Sequence, residues 1–131
     1  MPLAAFNGEA RRSLDLQSRV LNADNVAFLR SLPDSTLTNG AVTLAHGSPR
    51  DPTWEYVLNT LSARLNFDYF TTPFCFVGHA HLQCMFQLDE KRDRVSMEVP
   101  PPGESVEMTP RAILNPGSVG QPRDRDPRGF H

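Results

Sequence analysis

Three histidines in this sequence stand where their side chains are suited to bind metal ions. His79 and His81, in the run Gly78-His79-Ala80-His81, follow the apolar residues 74–77. Because a strand repeats its side-chain direction every second residue, we expect both imidazoles to point the same way, with Cα atoms roughly 6.5–7 Å apart. Such a pair suits two metal ions about 3.5–4 Å from each other, the arrangement that two-metal hydrolases use. The pattern is therefore compatible with metal-dependent hydrolysis, although on its own it is weak evidence.

The third histidine, His46, begins the run His46-Gly47-Ser48-Pro49-Arg50-Asp51, again after an apolar stretch and before a Gly/Pro loop. Neutral imidazole binds zinc, iron, nickel and manganese ions, so the histidines do not select the metal. The alternative interpretation of His79 and His81 is two surface histidines at a strand end, without a metal.

A loop further along the chain, Asn115-Pro116-Gly117-Ser118-Val119-Gly120, is a candidate rim for substrate. Glycines let the backbone approach a ligand closely, and consecutive N–H groups can cradle an anion. Arg50 and Arg123 carry forked donors that suit a phosphate group, although Asp51 and Asp124 adjoin them. We therefore expect Arg50, Asn115, Gly117, Ser118 and Arg123 to bind substrate. A structural turn after a strand is the alternative for the loop.

In order, the motifs HGSPRD, GHAH and NPGSVGQPRD resemble the C-terminal half of the calcineurin-like metallophosphoesterases. They look most like the small bacterial and archaeal predicted-phosphodiesterase branch, from about Phe6 to the last residue. The resemblance implies an α/β layered fold, part of a four-layer α/β/β/α sandwich, and a phosphodiesterase or phosphatase with a dinuclear metal centre. By the resemblance, His46 and His79 bind one divalent ion (Mn, Fe, Zn or Ni) and His81 binds the other.

The family's N-terminal motifs are not in this sequence. It contains no Asp-x-His, no Gly-Asp and no Gly-Asn-His. The resemblance thus implies that the bridging aspartate, the other ligands and the catalytic acid lie in an absent half, so no catalytic residue is assigned here. The expected partners are a phosphate-ester substrate, the missing N-terminal half or a complementing chain, and a second copy in a homo-oligomer.

Helices and strands alternate along the chain, as a layered α/β domain requires. Asn22 is a candidate N-cap, with Val26, Leu29 and Leu32 as buried positions after it, and Asn39-Gly40 is the signal for a type I′ hairpin turn. The predicted elements are helices over 8–21, 22–32 and from Trp54 to about Leu65, and strands at 36–38, 41–45, 74–78, 82–88, 94–99, 104–108 and 112–114. In the third helix we expect Tyr56 or Val57, Leu61 and Leu65 to face inward. We expect a single domain over residues 1–131.

Composition excludes several classes of protein. A net charge of −2 argues against general nucleic-acid binding. No apolar run approaches the roughly 20 residues of a membrane helix, and the N-terminal residues carry no basic leader. Two cysteines do not make a disulfide framework, so a cytoplasmic protein is expected. Cys84, three residues after His81, is either a zinc ligand or a buried, inert thiol, and the alternating pattern of residues 82–88 favours burial.

Two other functions fit the same residues. A non-catalytic scaffold with this fold would offer an exposed sheet face and edge to partners. Alternatively, the three histidines together hold one ion and leave its fourth position open.

Overall fold

A computed structural model describes residues 8–33, 36–101, 103–118 and Arg123. The chain divides into two compact units, Met1–Leu32 and Pro33–His131. The first contributes two helices and the second carries a sheet with one further helix. The prediction of one domain over residues 1–131 stays a prediction.

Helices α1 (Gly8–Val20) and α2 (Ala23–Ser31) confirm the two helices predicted for the first unit. The predicted cap is also present, because Oδ1 of Asn22 accepts a 2.8 Å hydrogen bond from the backbone N–H of Asn25. The predicted burial is wrong: neither helix has a buried residue, and Leu29 and Leu32 are about half exposed. Two helices this short have too little apolar surface to enclose a core of their own.

The second unit is built on a six-stranded mixed sheet with the order β1-β2-β3-β6-β4-β5. Strands β2, β3 and β6 are parallel neighbours, and the other pairs are antiparallel. The carboxyl ends of β2, β3 and β6 therefore meet at one edge of the sheet. The strand bounds are β1 Leu37–Asn39, β2 Val42–Ala45, β3 Phe74–Val77, β4 Gln83–Asp89, β5 Arg94–Glu98 and β6 Ala112–Pro116.

The first hairpin forms where it was predicted, but its turn differs by one residue. Asn39 pairs with Val42, so the two turn residues are Gly40 and Ala41. Gly40 has φ +57°, and Ala41 is not among the residues with positive φ. Glycine with positive φ at the first central position is typical of a type II′ turn, whereas the predicted type I′ turn needs positive φ at both.

The helix predicted from Trp54 begins later, at α3 (Thr60–Asn66), and a 3₁₀ turn, Phe67–Tyr69, follows it. Asp51 explains the delay, because its Oδ1 accepts hydrogen bonds from the backbone N–H groups of Thr53 and Trp54 and closes a turn there. The helix then starts at Asn59, which forms a reciprocal capping box with Ser62.

The inward face of this segment is also different from the prediction. Val57 is buried as expected, but Leu61 is 71% exposed and Leu65 is 42% exposed. Ala63 and Asn66 are the buried positions of α3. Together with the buried Phe67 they form a stripe at i, i+3 and i+4, and the two leucines lie outside it.

The main core is a cluster of buried side chains from β3, β4, β6 and the segment that leads into and follows α3. Its members are Val57, Ala63, Phe67, Phe70, Cys75, Val77, Cys84, Phe86 and Ile113. Cys84 and Phe86 confirm that alternate residues of β4 face this core. Cys84 is 2% exposed, which confirms the interpretation of an inert buried thiol.

A second, smaller cluster joins Met85, Ala112 and Leu114, with Phe74, Phe76 and Val106 half-buried against it. Residues 104–108, predicted as a strand, form no strand; Val106 packs against this cluster instead. A groove of about 420 Å³ lies between that segment and the side chains of Phe76, Met85 and Leu114.

The predicted layered α/β class is confirmed by the mixed sheet and its helices. Among the described residues there is one sheet. None of the described helices combines the length and the apolar character needed to cross a membrane.

Candidate metal centre at the carboxyl edge of the sheet

His46 and His79 meet at the edge where the parallel strands end. His46 follows directly after Ala45 of β2, and His79 comes two residues after Val77 of β3; Ala45 and Val77 are partners in the parallel register. The Nε2 atom of His46 lies 3.1 Å from the Nδ1 atom of His79. The structure thus brings together the two histidines that the resemblance assigns to a single metal ion.

The backbones of the two histidine segments are also in contact. The N–H of Gly78 donates a 2.8 Å hydrogen bond to the carbonyl oxygen of His46. A Cβ atom at Gly78 would lie 3.3 Å from that same oxygen, closer than most real Cβ contacts. Glycine at position 78 therefore allows the close approach that places the imidazoles side by side.

The strand conformation predicted for Gly78-His79-Ala80-His81 is wrong. His79 and His81 both have φ +60°, and the N–H of Ala80 donates a 2.6 Å hydrogen bond back to the carbonyl oxygen of Gly78. This is a γ-turn centred on His79, in the strained form with positive φ. Strained non-glycine residues are concentrated at functional sites, where the surrounding structure maintains them.

Tyr56 is a site residue that the sequence-based prediction missed. Its ring stacks on the His79 imidazole with centroids 4.0 Å apart and an interplanar angle of 28°. The ring of His46 also meets His79, in a T-shaped arrangement with centroids 4.9 Å apart. The imidazole of His79 is therefore bounded by one aromatic face and one aromatic edge.

The carboxylate of Glu55, the residue before Tyr56, accepts the hydrogen bonds that organise the loop after His46. Its Oε2 atom accepts hydrogen bonds from Ser48 Oγ (2.5 Å), Asn66 Nδ2 (2.9 Å) and Arg50 Nε (3.2 Å). Burial by itself would raise the pKa of Glu55, but the hydrogen bonds from Arg50, Ser48 and Asn66 outweigh it and lower that pKa. The carboxylate is thus held in its charged form inside the loop.

The loop is folded tightly around the Glu55 carboxylate. A Cβ atom at Gly47 would lie 2.7 Å from the carbonyl oxygen of Asp51 and 3.0 Å from that of Glu55. Asp-Pro at positions 51 and 52 is a turn signal, and it could have revealed that Glu55 and Tyr56 belong to a loop at the site. Assigning them to a helix concealed both residues.

The side chain of Arg50 faces the Glu55 carboxylate. Two of its guanidinium nitrogens bond to the two oxygens of Glu55, and the Glu55 hydrogen bond raises the pKa of Arg50. The arginine that the sequence offers to a substrate phosphate is therefore engaged by an internal carboxylate. Its contact with substrate stays a prediction.

Asn115, at the end of β6, is completely buried and holds two neighbouring loops. Its Nδ2 donates a 2.7 Å hydrogen bond to the carbonyl oxygen of Gly78, and its Oδ1 accepts one of 3.0 Å from the N–H of Gly117. The side chain thus ties the GHAH segment to the loop after β6. A contact of Asn115 with substrate stays a prediction, next to this observed structural role.

The remaining predicted rim residues lie around the same edge. Gly117 has φ +86°, and a Cβ atom there would lie 2.8 Å from Cγ of Gln83. The N–H of Arg123 is 3.4 Å from the carbonyl oxygen of His81, so the chain returns to the GHAH segment. Ser118 is half-buried. The predicted contacts of these residues with substrate stay predictions.

Electrostatics at the edge favour a neutral imidazole. Burial lowers the pKa of His79, and the neighbouring His46, His81 and Arg123 lower it further, whereas Asp51 opposes them. A neutral imidazole is the form that binds a metal ion.

The spacing of the two imidazoles is compatible with one shared ion. With metal–nitrogen distances of about 2.0–2.1 Å, a 3.1 Å separation of the two nitrogens corresponds to an angle of about 100° at the metal. Within the described part of the chain, no group of three or more His, Cys, Asp or Glu side chains is arranged to hold an ion. A mononuclear site made by all three histidines is therefore not formed, and the pair needs further ligands.

Comparisons with known proteins agree with this geometry. No protein-family model matches the chain. It is 31% identical over 124 residues to uncharacterized protein MJ0912 of Methanocaldococcus jannaschii, a match that covers 91% of this chain and 47% of that protein. It also superposes on the crystal structure of a metallophosphoesterase from Sphaerobacter thermophilus with a TM-score of 0.72 and 46% identity, over 83% of this chain and 45% of the other.

The chain therefore spans about half the length of the proteins that it matches. Its fold matches a metallophosphoesterase fold, and the resemblance predicted from the HGSPRD, GHAH and NPGSVGQPRD motifs is confirmed. The similarity to a metallophosphoesterase over 83% of this chain supports a relationship to the calcineurin-like metallophosphoesterases.

Proposed function

We propose that this chain supplies the histidine-bearing part of a metal-dependent phosphoric ester hydrolase of the phosphodiesterase or phosphatase type. The observation that carries the proposal is the pairing of His46 Nε2 with His79 Nδ1 at 3.1 Å, at the ends of two adjacent parallel strands. The identity of 46% to a metallophosphoesterase supports the reaction class.

In the proposed centre, His46 and His79 hold one divalent ion and His81 contributes to a second. When bound, two such ions supply Lewis acidity that activates water and offsets the negative charge on the phosphoryl oxygens. The ions are manganese, iron, zinc or nickel, because imidazole accepts all four. The remaining ligands and the proton donor come from a complementary part of the fold.

The other predicted residues have supporting roles in this proposal. Arg123 adds positive charge beside His79, on the side where an anionic ester would bind. The backbone of Gly117 and Ser118 borders the same edge, and Asn115 holds it in place. We further propose a phosphate-ester substrate, a cytoplasmic location and, as partner, a chain or segment that provides the missing ligands.

The test is complementation. The chain is mixed with, or fused to, the N-terminal half of the Sphaerobacter metallophosphoesterase, and hydrolysis of bis(4-nitrophenyl) phosphate is measured with Mn²⁺, Zn²⁺, Ni²⁺ and Fe²⁺. We expect activity to appear, and His79→Ala to abolish it. Lys91→Ala, at the exposed tip of the β4–β5 hairpin, is the control and should leave the activity unchanged. Failure of every metal to restore hydrolysis in a folded fusion would overturn the proposal.

A non-catalytic, partner-binding role is the second candidate. The supporting observation is the groove of about 420 Å³ beside Phe76, Met85 and Leu114, together with the half-buried Phe74. A scaffold would use this face to bind a partner or a second copy. Light scattering coupled to size exclusion tests the homo-oligomer, and a monomer that binds no hydrophobic dye would remove this candidate's support.

A further inference from the structure

The ring of His79 needs support that its own backbone does not provide. The residue stands in a strained γ-turn after the end of β3, outside the regular ladder of the sheet. A side chain on such a turn keeps rotational freedom about its χ angles unless its neighbours restrict it. A metal ligand performs well only if its ring is fixed by surrounding contacts.

The aromatic contact with Tyr56 restricts the His79 ring. Two rings with centroids 4.0 Å apart and an interplanar angle of 28° are nearly parallel, so rotation of the imidazole out of this plane would collide with the tyrosine. Tyr56 remains 41% exposed. A tyrosine with so much exposure contributes little to the core, so its packing on His79 is its main observed contact.

Tyr56 itself is held in place from both sides along the chain. Glu55 before it is tied to Ser48, Arg50 and Asn66, and Val57 after it is 1% exposed within the main core. Burial alternates along residues 55–58, with Glu55 and Val57 inward and Tyr56 and Leu58 exposed. Anchoring the two inward residues therefore leaves Tyr56 on the outer side, where it stacks on the histidine.

We propose that Tyr56 is a positioning residue for His79, whose ring holds the imidazole plane and so keeps Nδ1 beside Nε2 of His46, 3.1 Å away. The role in metal binding rests on the proposed function, whereas the orientation of the imidazole does not need a metal. The class of ligand that this arrangement serves is a divalent cation with borderline preference for nitrogen donors.

The metal-free chain tests the orientation. In ¹H–¹³C spectra, the ring protons of His79 should be shifted upfield by the tyrosine ring current and should show contacts to the Tyr56 ring. Tyr56→Phe should retain the upfield shift, and Tyr56→Leu should lose it while the thermal unfolding temperature stays close to that of the unaltered chain. Identical His79 shifts in the unaltered chain and Tyr56→Leu would overturn the stacking.

A Zn²⁺ titration of the same chains, each fused to the N-terminal half of the Sphaerobacter metallophosphoesterase that supplies the remaining ligands, tests the role in binding. We expect Tyr56→Phe to bind Zn²⁺ like the unaltered chain and Tyr56→Leu to bind at least about 10-fold more weakly, as for other residues that orient metal ligands. Tyr69→Leu is the matched control, since Tyr69 is the other tyrosine of the chain and is 56% exposed.

The outcomes separate the two proposals. Equal Zn²⁺ affinity of the unaltered chain and Tyr56→Leu, or equal losses in Tyr56→Leu and Tyr69→Leu, would overturn the positioning role alone. No Zn²⁺ binding by the folded fusion of the unaltered chain would overturn the proposed metal centre, and with it the metal-binding part of the inference. The stacking of Tyr56 on His79 would then still be decided by the spectra of the metal-free chain.

Discussion

Asn115 and Gly78 are joined by a 2.7 Å hydrogen bond that connects the ends of two parallel strands. The amide of Asn115 also accepts a hydrogen bond from the N–H of Gly117, and the residue has no exposed surface. One buried side chain therefore fixes both the turn that carries His79 and the loop after β6. These two hydrogen bonds of Asn115 and the strand pairing together hold this edge of the sheet in place.

Asn115→Ala should reduce stability substantially. The substitution leaves the N–H of Gly117 without its partner and removes one of the two hydrogen bonds to the carbonyl oxygen of Gly78, which keeps the one from Ala80. A buried polar group that loses its partner costs about 1–3 kcal/mol. We expect a loss of about 2–3 kcal/mol in the free energy of unfolding measured with urea. Asn39→Ala, at the exposed end of β1, is the control and should stay within about 0.5 kcal/mol. Equal losses of stability in Asn115→Ala and Asn39→Ala would show that the Asn115 side chain does not hold the two loops together.

Gly117→Ala should cost more than Gly40→Ala. Both glycines have positive φ, but a Cβ atom at Gly40 meets nothing within 4 Å, whereas one at Gly117 would lie 2.8 Å from Cγ of Gln83. An alanine in the left-handed backbone conformation costs about 1–2 kcal/mol at either position. Only the alanine at position 117 adds the collision with Gln83. In thermal unfolding we expect Gln83→Ala to recover part of the loss in Gly117→Ala. No recovery in the double variant would show that the collision is relieved by another movement.

The sequence predicted the parts of this fold that depend on local pattern. The apolar run 74–77, the alternation around Cys84 and Phe86, and the cap at Asn22 all appear as predicted, because each depends on periodicity or on one short hydrogen bond. The motif resemblance predicted that His46 and His79 belong to one site. The parallel register of β2 and β3 is what places the two residues side by side.

The parts that failed depend on contacts between distant residues. Leu61 and Leu65 read as an inward stripe, but the side chain of Asp51 stops a helix at Trp54 and the capping box at Asn59 starts a later one. Likewise, the alternation expected for His79 and His81 was lost to a γ-turn, which the bonds of Gly78 to His46 and to Asn115 maintain. Pairwise contacts of this kind leave no periodic signal in the sequence.

The two thiols should be unreactive in the folded chain. Burial raises the pKa of Cys75 to about 12 and that of Cys84 to about 11, and the thiolate is the reactive form. At pH 8 the thiolate fraction of Cys84 is then roughly 100-fold smaller than at its ordinary pKa of 9.0. We expect Ellman's reagent to react slowly with the native chain and to titrate both thiols rapidly in guanidinium chloride. Rapid reaction of either thiol in the folded chain would contradict the burial of the core.

The loop organised by Glu55 should give a pH-dependent contribution to stability. The pKa of Glu55 is lowered in the folded chain from its ordinary 4.5, so its charged form stabilises folding. This stability is fully present above pH 4.5 and is lost as the pH falls through the lowered pKa of the folded state. At pH 7 we expect Glu55→Gln to cost about 1–3 kcal/mol in urea unfolding, since it removes charge-assisted hydrogen bonds.

The difference between Glu55→Gln and the unaltered chain should therefore shrink when unfolding is measured progressively below pH 4.5. Glu98→Gln, at an exposed position at the end of β5, is the matched control and should stay within about 0.5 kcal/mol at every pH. Because Glu55 precedes Tyr56, the same acidification should also weaken the ring-current shift of His79 in the unaltered chain. A constant stability difference across this pH range would show that Glu55 does not act through its charge.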